Sequence, residues 1–158
     1  MAKVRPIHAA VIVLLFGAGV LVADYALDGG FRQAGYQRVS PDPKGQIVLD
    51  IAELTSTEAR FYRFLNAGNQ EVKFFVARDP AGVVQVAFDA NAICYKTQRG
   101  YRYEGEWVAC NKCDKSFRIA EVNDGGGGCK PVPLAHQVIG DQLVLQENDI
   151  LTGWRYFR

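Results

Sequence analysis

The sequence lacks the motifs by which most enzymes and nucleic-acid-binding proteins are recognised. Its 158 residues contain no block of Lys and Arg, and the formal net charge is +1, so nucleic acid is not an expected partner. There is no phosphate-binding loop, no Ser, His and Asp arrangement for nucleophilic catalysis, and no carboxylate pair spaced for acid–base work. These absences favour a non-catalytic module over an enzyme.

Charge is also missing from residues 9–23, AAVIVLLFGAGVLVA, which follow the basic residues Lys3 and Arg5. A basic segment before an apolar run is typical of signal peptides and signal anchors. No small-x-small cleavage site follows the run, so we favour an uncleaved anchor over a cleaved signal peptide. We expect residues 1–30 to be a cytoplasmic n-region and a single transmembrane helix in the cytoplasmic (inner) membrane. The C-terminal domain would then lie on the periplasmic side.

After this segment the sequence shows no sustained helical period. Gly29-Gly30, Pro41 and Pro43 mark a linker over residues 31–45. Beyond it, short apolar and aromatic runs alternate with turn residues, which predicts a mostly β domain over residues 46–158, a small sandwich or open barrel with cysteine-bearing loops. The predicted strands are residues 46–50, 59–65, 71–77, 83–89, 101–103, 107–109, 137–139 and 142–145.

The four cysteines lie within one short window of this domain. They are separated by fifteen, two and fifteen residues, and glycines surround them. A Cys-x2-Cys pair suits a tetrahedral ion or one iron of a cluster, and thiolates favour zinc or iron–sulfur over hard cations. The candidate ligands, for a metal or an iron–sulfur cluster, are Cys94, Cys110, Cys113 and Cys129.

Other uses of the cysteines remain open. An exported domain permits disulfides, and the expected pairing is Cys94 with Cys110 and Cys113 with Cys129, or the crossed arrangement. A thioredoxin-type dithiol is disfavoured because no helix is predicted after the Cys-x2-Cys pair. Asp114 stands where covalent haem attachment requires histidine, which excludes that use in its usual form.

Several segments around the cysteines resemble the FtrD-like family of membrane iron–sulfur proteins. The resemblance runs from about residue 46 to about residue 144. The family pattern is Asp-Ala-Cys-x2-Cys, then Cys-x2-Cys, then Gly-Gly-Cys-Asn-Pro. The matching segments are Phe74-Phe-Val76, Val86-Ala-Phe-Asp-Ala90, Ile93-Cys94, Gly100-Tyr101, Gly105, Val108-Ala-Cys110, Cys113, Phe117, Gly127-Gly-Cys-Lys-Pro131 and Pro133-Leu134.

Two positions depart from that pattern. Asn91 stands where the family has its first cysteine, and Lys130 replaces the usual asparagine. Either Cys129 completes a four-cysteine site, or a non-sulfur ligand does, or a three-cysteine site leaves Cys129 a separate role. The non-sulfur candidates are Asn91, Asp89 and His136.

The resemblance implies a membrane-anchored, periplasm-facing iron–sulfur protein that transfers electrons in iron uptake, beside an iron permease or another membrane redox complex. Backbone amides of residues 125–128 would donate to sulfur, and Tyr101, Trp107 and Phe117 would bury the cluster. The layout of two ligand loops and a proline segment is also similar to that of Rieske-type domains. The alternative is a zinc- or disulfide-stapled accessory subunit of a membrane complex.

Overall fold

Short runs of β-branched and aromatic residues form the strands of this computed structural model, which describes residues 35–158. Such runs are too short to be stable alone and need neighbouring strands. The strands are β1 (Gln37–Val39), β2 (Gln46–Asp50), β3 (Ala59–Leu65), β4 (Glu71–Arg78), β5 (Val84–Phe88), β6 (Tyr101–Glu104), β7 (Trp107–Cys110), β8 (Ser116–Arg118), β9 (Gln137–Ile139) and β10 (Gln142–Gln146).

The strands form three sheets. The four-stranded sheet has the order β1-β3-β4-β5, and the two three-stranded sheets have the orders β2-β10-β9 and β6-β7-β8. Only the β1–β3 pair is parallel among these pairings, and the others are antiparallel. The β6-β7-β8 sheet carries the Cys-x2-Cys pair, because β7 ends at Cys110.

The four-stranded sheet is covered on both faces. Along β4, Phe74 and Val76 belong to one apolar cluster, whereas Phe75 and Ala77 belong to the other. The first cluster includes the inward side chains of β2 and β10, and the second includes those of β6 and β7. Every residue of β5 is buried, as expected of a strand with no solvent face.

The C-terminal residues pack against the first of these clusters. Helix α1 (Glu147–Leu151) follows β10 directly, and a 3₁₀ helix continues over Thr152–Tyr156. Ile150 and Tyr156 are buried in the cluster, and the Tyr156 ring lies 5.7 Å from that of Tyr95. Since Tyr95 follows Cys94, this contact packs the loop that carries Cys94 against the C-terminal residues.

The mostly β prediction is confirmed for the described residues, and the strands predicted at 46–50, 59–65 and 137–139 match β2, β3 and β9. The strands fall into three separate sheets, and the described residues form no closed barrel. Strand β8 and helix α1 were not predicted, and β1 lies within the segment predicted as linker.

The predicted anchor and n-region, residues 1–30, lie outside the described residues. From residue 35 to the C-terminus, no helix has the length and apolar character needed to cross a membrane.

Candidate metal centre

Three loops bring cysteine thiols together at one place. Cys94 lies between β5 and β6, Cys113 lies in the turn between β7 and β8, and Cys129 lies between β8 and β9. Their Sγ atoms are all within 4.8 Å of one another, and those of Cys94 and Cys129 are 3.7 Å apart. Residues 35 apart in sequence therefore meet because the sheets position their loops.

Cys110 is the buried member of the Cys-x2-Cys pair, with 1% of its surface exposed. Its N–H donates to the Lys115 carbonyl at 3.0 Å, and its carbonyl accepts from the Asp114 N–H at 2.9 Å. Asp114 takes the left-handed conformation, with φ of 59°, which lets the chain reverse immediately after Cys113. This tight turn fixes Cys113 at the surface while Cys110 faces the core.

Asn91 occupies the family's missing cysteine position and makes contacts that a thiol would not. Its Oδ1 accepts from the N–H groups of Ile93 and Cys94, at 3.0 and 2.6 Å, and so shapes the first loop. Its Nδ2 donates to the Tyr101 hydroxyl at 2.9 Å and lies 3.6 Å from the Cys110 Sγ. Asn91 is therefore a hydrogen-bonding neighbour of the thiols, since its oxygen is already engaged by two backbone amides.

Tyr101 links the first loop to the third. The Tyr101 hydroxyl donates to the Cys129 carbonyl and accepts from Asn91. Its ring is buried and lies 6.3 Å from that of Phe75 in the second apolar cluster. Burial raises the pKa of the Tyr101 hydroxyl, so it stays protonated and keeps donating to the loop that carries Cys129.

The Asp89 carboxyl group is buried against Gly100. It accepts hydrogen bonds from the Tyr36 hydroxyl and from the Tyr101 N–H, the latter at 2.6 Å. Burial raises the pKa of Asp89 to about 7, although the Tyr36 and Tyr101 hydrogen bonds oppose the shift. Asp89 therefore holds the start of β6 through the Tyr101 N–H, and it is not in the group of possible metal ligands among residues 35–158.

Other residues singled out in the sequence do not join the group of thiols. His136 Nδ1 lies 2.9 Å from the Leu134 carbonyl oxygen, and His136 is not in the group of possible metal ligands among residues 35–158. Trp107 is 38% exposed beneath the Arg118 guanidinium, and Phe117 packs against the second cluster. Of the three aromatics expected to cover the site, Tyr101 is the one that contacts a cysteine residue.

The thiols fit a soft tetrahedral ion. Partial burial, the Cys129 thiol and the Cys110 thiol together raise the pKa of Cys94 to about 12, so a cation is needed to hold this group of sulfurs as thiolates. Metal–sulfur bonds of about 2.3 Å in a tetrahedron place two thiolates about 3.8 Å apart. The 3.7 Å between Cys94 and Cys129 matches that spacing, and no disulfide joins the four cysteines, all of which lie in the described part of the chain.

The pKa of Asp89 predicts how stability depends on pH. The carboxyl group titrates near 3.8 when unfolded and about 7 when folded, so between these values the folded state holds a proton that the unfolded state has released. The contribution of Asp89 to stability is thus largest at low pH and is lost as the pH rises towards 7, by on the order of 4 kcal/mol. Urea unfolding of the reduced, metal-free chain from pH 4.5 to 8 measures this slope.

Asp89→Asn keeps the shape and can still accept from the Tyr101 N–H through Oδ1, while its Nδ2 donates to the Tyr36 hydroxyl oxygen; it does not titrate, and we expect it to flatten the slope. Asp141→Asn, at an exposed turn, is the matched control and should follow the wild-type curve. Identical pH slopes in wild type and Asp89→Asn would contradict the assignment.

A second prediction concerns Asn91. Asn91→Asp removes the N–H groups that face Tyr101 and Cys110 and adds a buried carboxylate beside the thiols. Changes to groups around metal ligands typically cost about 10- to 100-fold in affinity, and we expect a loss in this range. Iron retained per chain against increasing chelator measures it. Asn91→Cys, which restores a soft ligand, is the control and should retain iron; equal retention by Asn91→Asp and wild type would contradict the role of the amide.

Comparison with models of known protein families gives a match over most of the described residues. The model of the family described as "Membrane iron-sulfur containing protein FtrD-like" matches residues 54–157. No curated protein and no solved structure matches the chain, so the resemblance to Rieske-type domains is not shown. The matched range contains all four cysteines, Asn91 and Tyr101.

Proposed function

Because the chain belongs to the FtrD-like family of membrane iron–sulfur proteins, we propose that it binds an iron–sulfur centre and passes single electrons. The ligands in this proposal are Cys94, Cys110, Cys113 and Cys129. The observation that carries it is the convergence of three thiols, from three separate loops, within 4.8 Å. Cys110 is outside the group of three thiols within 4.8 Å, and we assign it as the fourth ligand because it is the partner of Cys113 in the Cys-x2-Cys pair and its Sγ lies 3.6 Å from the Asn91 Nδ2, beside the loop that carries Cys94.

A thiolate-held iron centre supplies one-electron oxidation and reduction when it is bound. The chain's own residues set the conditions for that chemistry. Asn91 places an N–H donor against the Cys110 sulfur, and such hydrogen bonds favour the reduced form by offsetting its negative charge. Cys110 faces the core, whereas Cys113 is exposed. The Cys110 side of the site is therefore shielded from solvent. The Cys113 side is exposed, so an electron can leave through it.

The cellular setting belongs to the same proposal. We propose that residues 1–30 anchor the protein in the inner membrane by a single pass, with the domain facing the periplasm. In this proposal it serves iron uptake next to an iron permease or another membrane redox complex. The apolar run at residues 9–23 behind Lys3 and Arg5 supports the anchor, and the membrane in the family's description supports the location. The protein is then an electron-transfer module rather than a catalyst.

The test is the metal and acid-labile sulfide content of the full chain, purified without oxygen, together with its visible spectrum. The expected result is iron and sulfide in a coloured protein whose absorption bleaches on reduction. A colourless protein with zinc, or with no metal, would overturn the proposal.

A structural role for the thiols is the second candidate. The contact between Cys94 and Cys129 at 3.7 Å joins the first and third loops, so zinc or a disulfide there would staple the domain. Such a protein would be an accessory subunit of a membrane complex. Thiol counts with and without reductant, alongside zinc analysis, separate the two forms of the staple from each other and from iron.

A further inference from the structure

The loops that carry the cysteines are basic, although the described residues as a whole are balanced. The three loops, residues 89–100, 111–115 and 122–136, are called the cysteine face below. Its exposed carboxylates are Asp114 and Asp124, and Asp114 is already bound by Arg102 from β6. Outside these loops, ten cationic and twelve acidic side chains remain in the described residues. The cations of the cysteine face are Lys96, Arg99, Lys112, Lys115 and Lys130.

Contacts between the loops hold together the segments that carry these cations and the thiols. The Asn111 side chain donates to the Arg99 carbonyl at 2.9 Å, and the Asn111 N–H donates to the Gly100 carbonyl at 3.0 Å. The first and second loops are thereby joined edge to edge. Lys130 follows Cys129, and Lys112 precedes Cys113, so each of these two cysteines has a lysine next to it in the chain.

The centre of the cysteine face is apolar and open. Ile93 is 65% exposed beside Cys94, although isoleucine is usually buried in a domain of this size. Gly128 lies next to the Ile93 side chain, and residues 125–128 are exposed backbone without side chains. Cys113 is exposed as well. An apolar centre with a charged rim is the usual anatomy of a transient protein–protein contact.

We propose that the cysteine face is the docking surface for an acidic one-electron redox protein. This deepens the proposed function and rests on it. One electron passes between the thiolate-held centre and the partner's centre, so one is oxidised as the other is reduced and no further reactant is needed. Charge of one sign around an electron exit raises the encounter rate by steering, by about 10- to 1,000-fold at low ionic strength.

A protein fits this surface better than an anionic membrane does. Membrane-surface segments combine many cations with several large apolar side chains that insert between lipids. Here Ile93 is the exposed large apolar residue of the three loops. The cations also lie in the loops that carry the thiols, where a partner's redox centre must approach closely but a lipid headgroup has no role.

The first test does not require a redox centre. Hexacyanochromate(III) is a redox-inert paramagnetic trianion that broadens amide resonances where it binds, and hexaamminechromium(III) is its cationic counterpart. With the ¹⁵N-labelled full chain in neutral detergent, the anion is expected to broaden residues of the cysteine face selectively and the cation is not. Broadening that is absent or spread evenly overturns the docking surface, whatever metal the protein holds.

The second test uses electron transfer itself. Oxidation of the reduced protein by hexacyanoferrate(III) should slow as salt is added, whereas oxidation by tris(phenanthroline)cobalt(III) should quicken. Lys112→Glu combined with Lys115→Glu should lower the low-salt rate with the anion about tenfold. Lys44→Glu combined with Arg38→Glu, near β1 and β2, changes net charge equally and should leave the rate within about twofold.

The outcomes separate the two proposals. A coloured, reducible protein with the same salt dependence for both oxidants would overturn the docking surface and leave the electron-transfer function standing. Selective broadening in a protein without a redox centre would overturn electron transfer and would retain only a surface for acidic proteins. Tight binding of the cysteine face to phosphatidylglycerol vesicles, but not to phosphatidylcholine vesicles, would assign the basic rim to the membrane instead.

Discussion

Replacing Cys129 with serine is expected to remove the iron from the protein. The Cys129 Sγ is one of three within 4.8 Å of one another, and a hydroxyl is a poor substitute for a thiolate on a soft ion. The three remaining cysteines would leave one position of a four-thiolate site open. Iron and sulfide per chain should fall at least tenfold, and visible absorption should fall with them, in protein prepared side by side with wild type.

The matched control is Asp124→Ser, which introduces the same residue at an exposed position of the same loop. It should retain wild-type iron. Full iron content in Cys129→Ser would contradict a role for Cys129 as a ligand and would favour a three-cysteine site with a separate function for this residue. The Cys110→Ser variant adds a further distinction: it should lose metal if the thiols are ligands, and should only expose a newly reactive thiol if they form disulfides.

Strands β3, β4 and β5 of the four-stranded sheet could be predicted because their local pattern agrees with their final environment. Alternation along residues 71–77 reflects two apolar faces, one on each side of the sheet. The β1 strand could not be predicted in the same way, since its three residues are stabilised by parallel pairing with β3. Helix α1 was missed because its five residues are too few to show a helical period.

The spacing of the cysteines predicts that they lie together, and the structure brings three of the four together, but their neighbours could not be predicted. Nothing in the sequence places Tyr101 over Cys129, because that contact depends on how β6 packs against the four-stranded sheet. Asn91 did carry a signal, since Asn three residues before a short helical turn often accepts backbone N–H groups. The departure of Asn91 from the family pattern suggested that it is a ligand. Its position before a helical turn indicates instead that its side chain accepts hydrogen bonds from the backbone.

The buried Asp89 carboxyl group leaves no room for a side chain at Gly100, next to the cysteine loops. A Cβ atom at Gly100 would lie 2.1 Å from Asp89 Oδ2, and φ at this position is +60°. The carboxyl group cannot withdraw, since it is buried and held by Tyr36 and by the Tyr101 N–H. We expect Gly100→Ala to lower the free energy of unfolding by about 3–5 kcal/mol, measured by urea denaturation. It should also weaken metal binding, because the Gly100 carbonyl holds the Asn111 N–H of the second loop.

Gly105→Ala separates the steric clash from the cost of the backbone conformation. Gly105 has φ of +68° but open space around its Cα, so only the strain of a left-handed alanine remains, about 1 kcal/mol. If Gly100→Ala lowers the free energy of unfolding no more than Gly105→Ala does, the contact with Asp89 contributes nothing to the cost.

The same contact predicts that the two positions are coupled. In an Asp89→Ala background the space for a Cβ atom is free, so Gly100→Ala should lower the free energy of unfolding by at least about 1 kcal/mol less than it does in wild type. Additive losses of unfolding free energy would show that the chain removes the clash by moving other atoms. A smaller loss in the Asp89→Ala background would establish that the buried carboxyl group fixes the position of Gly100 and of the cysteine loops next to it.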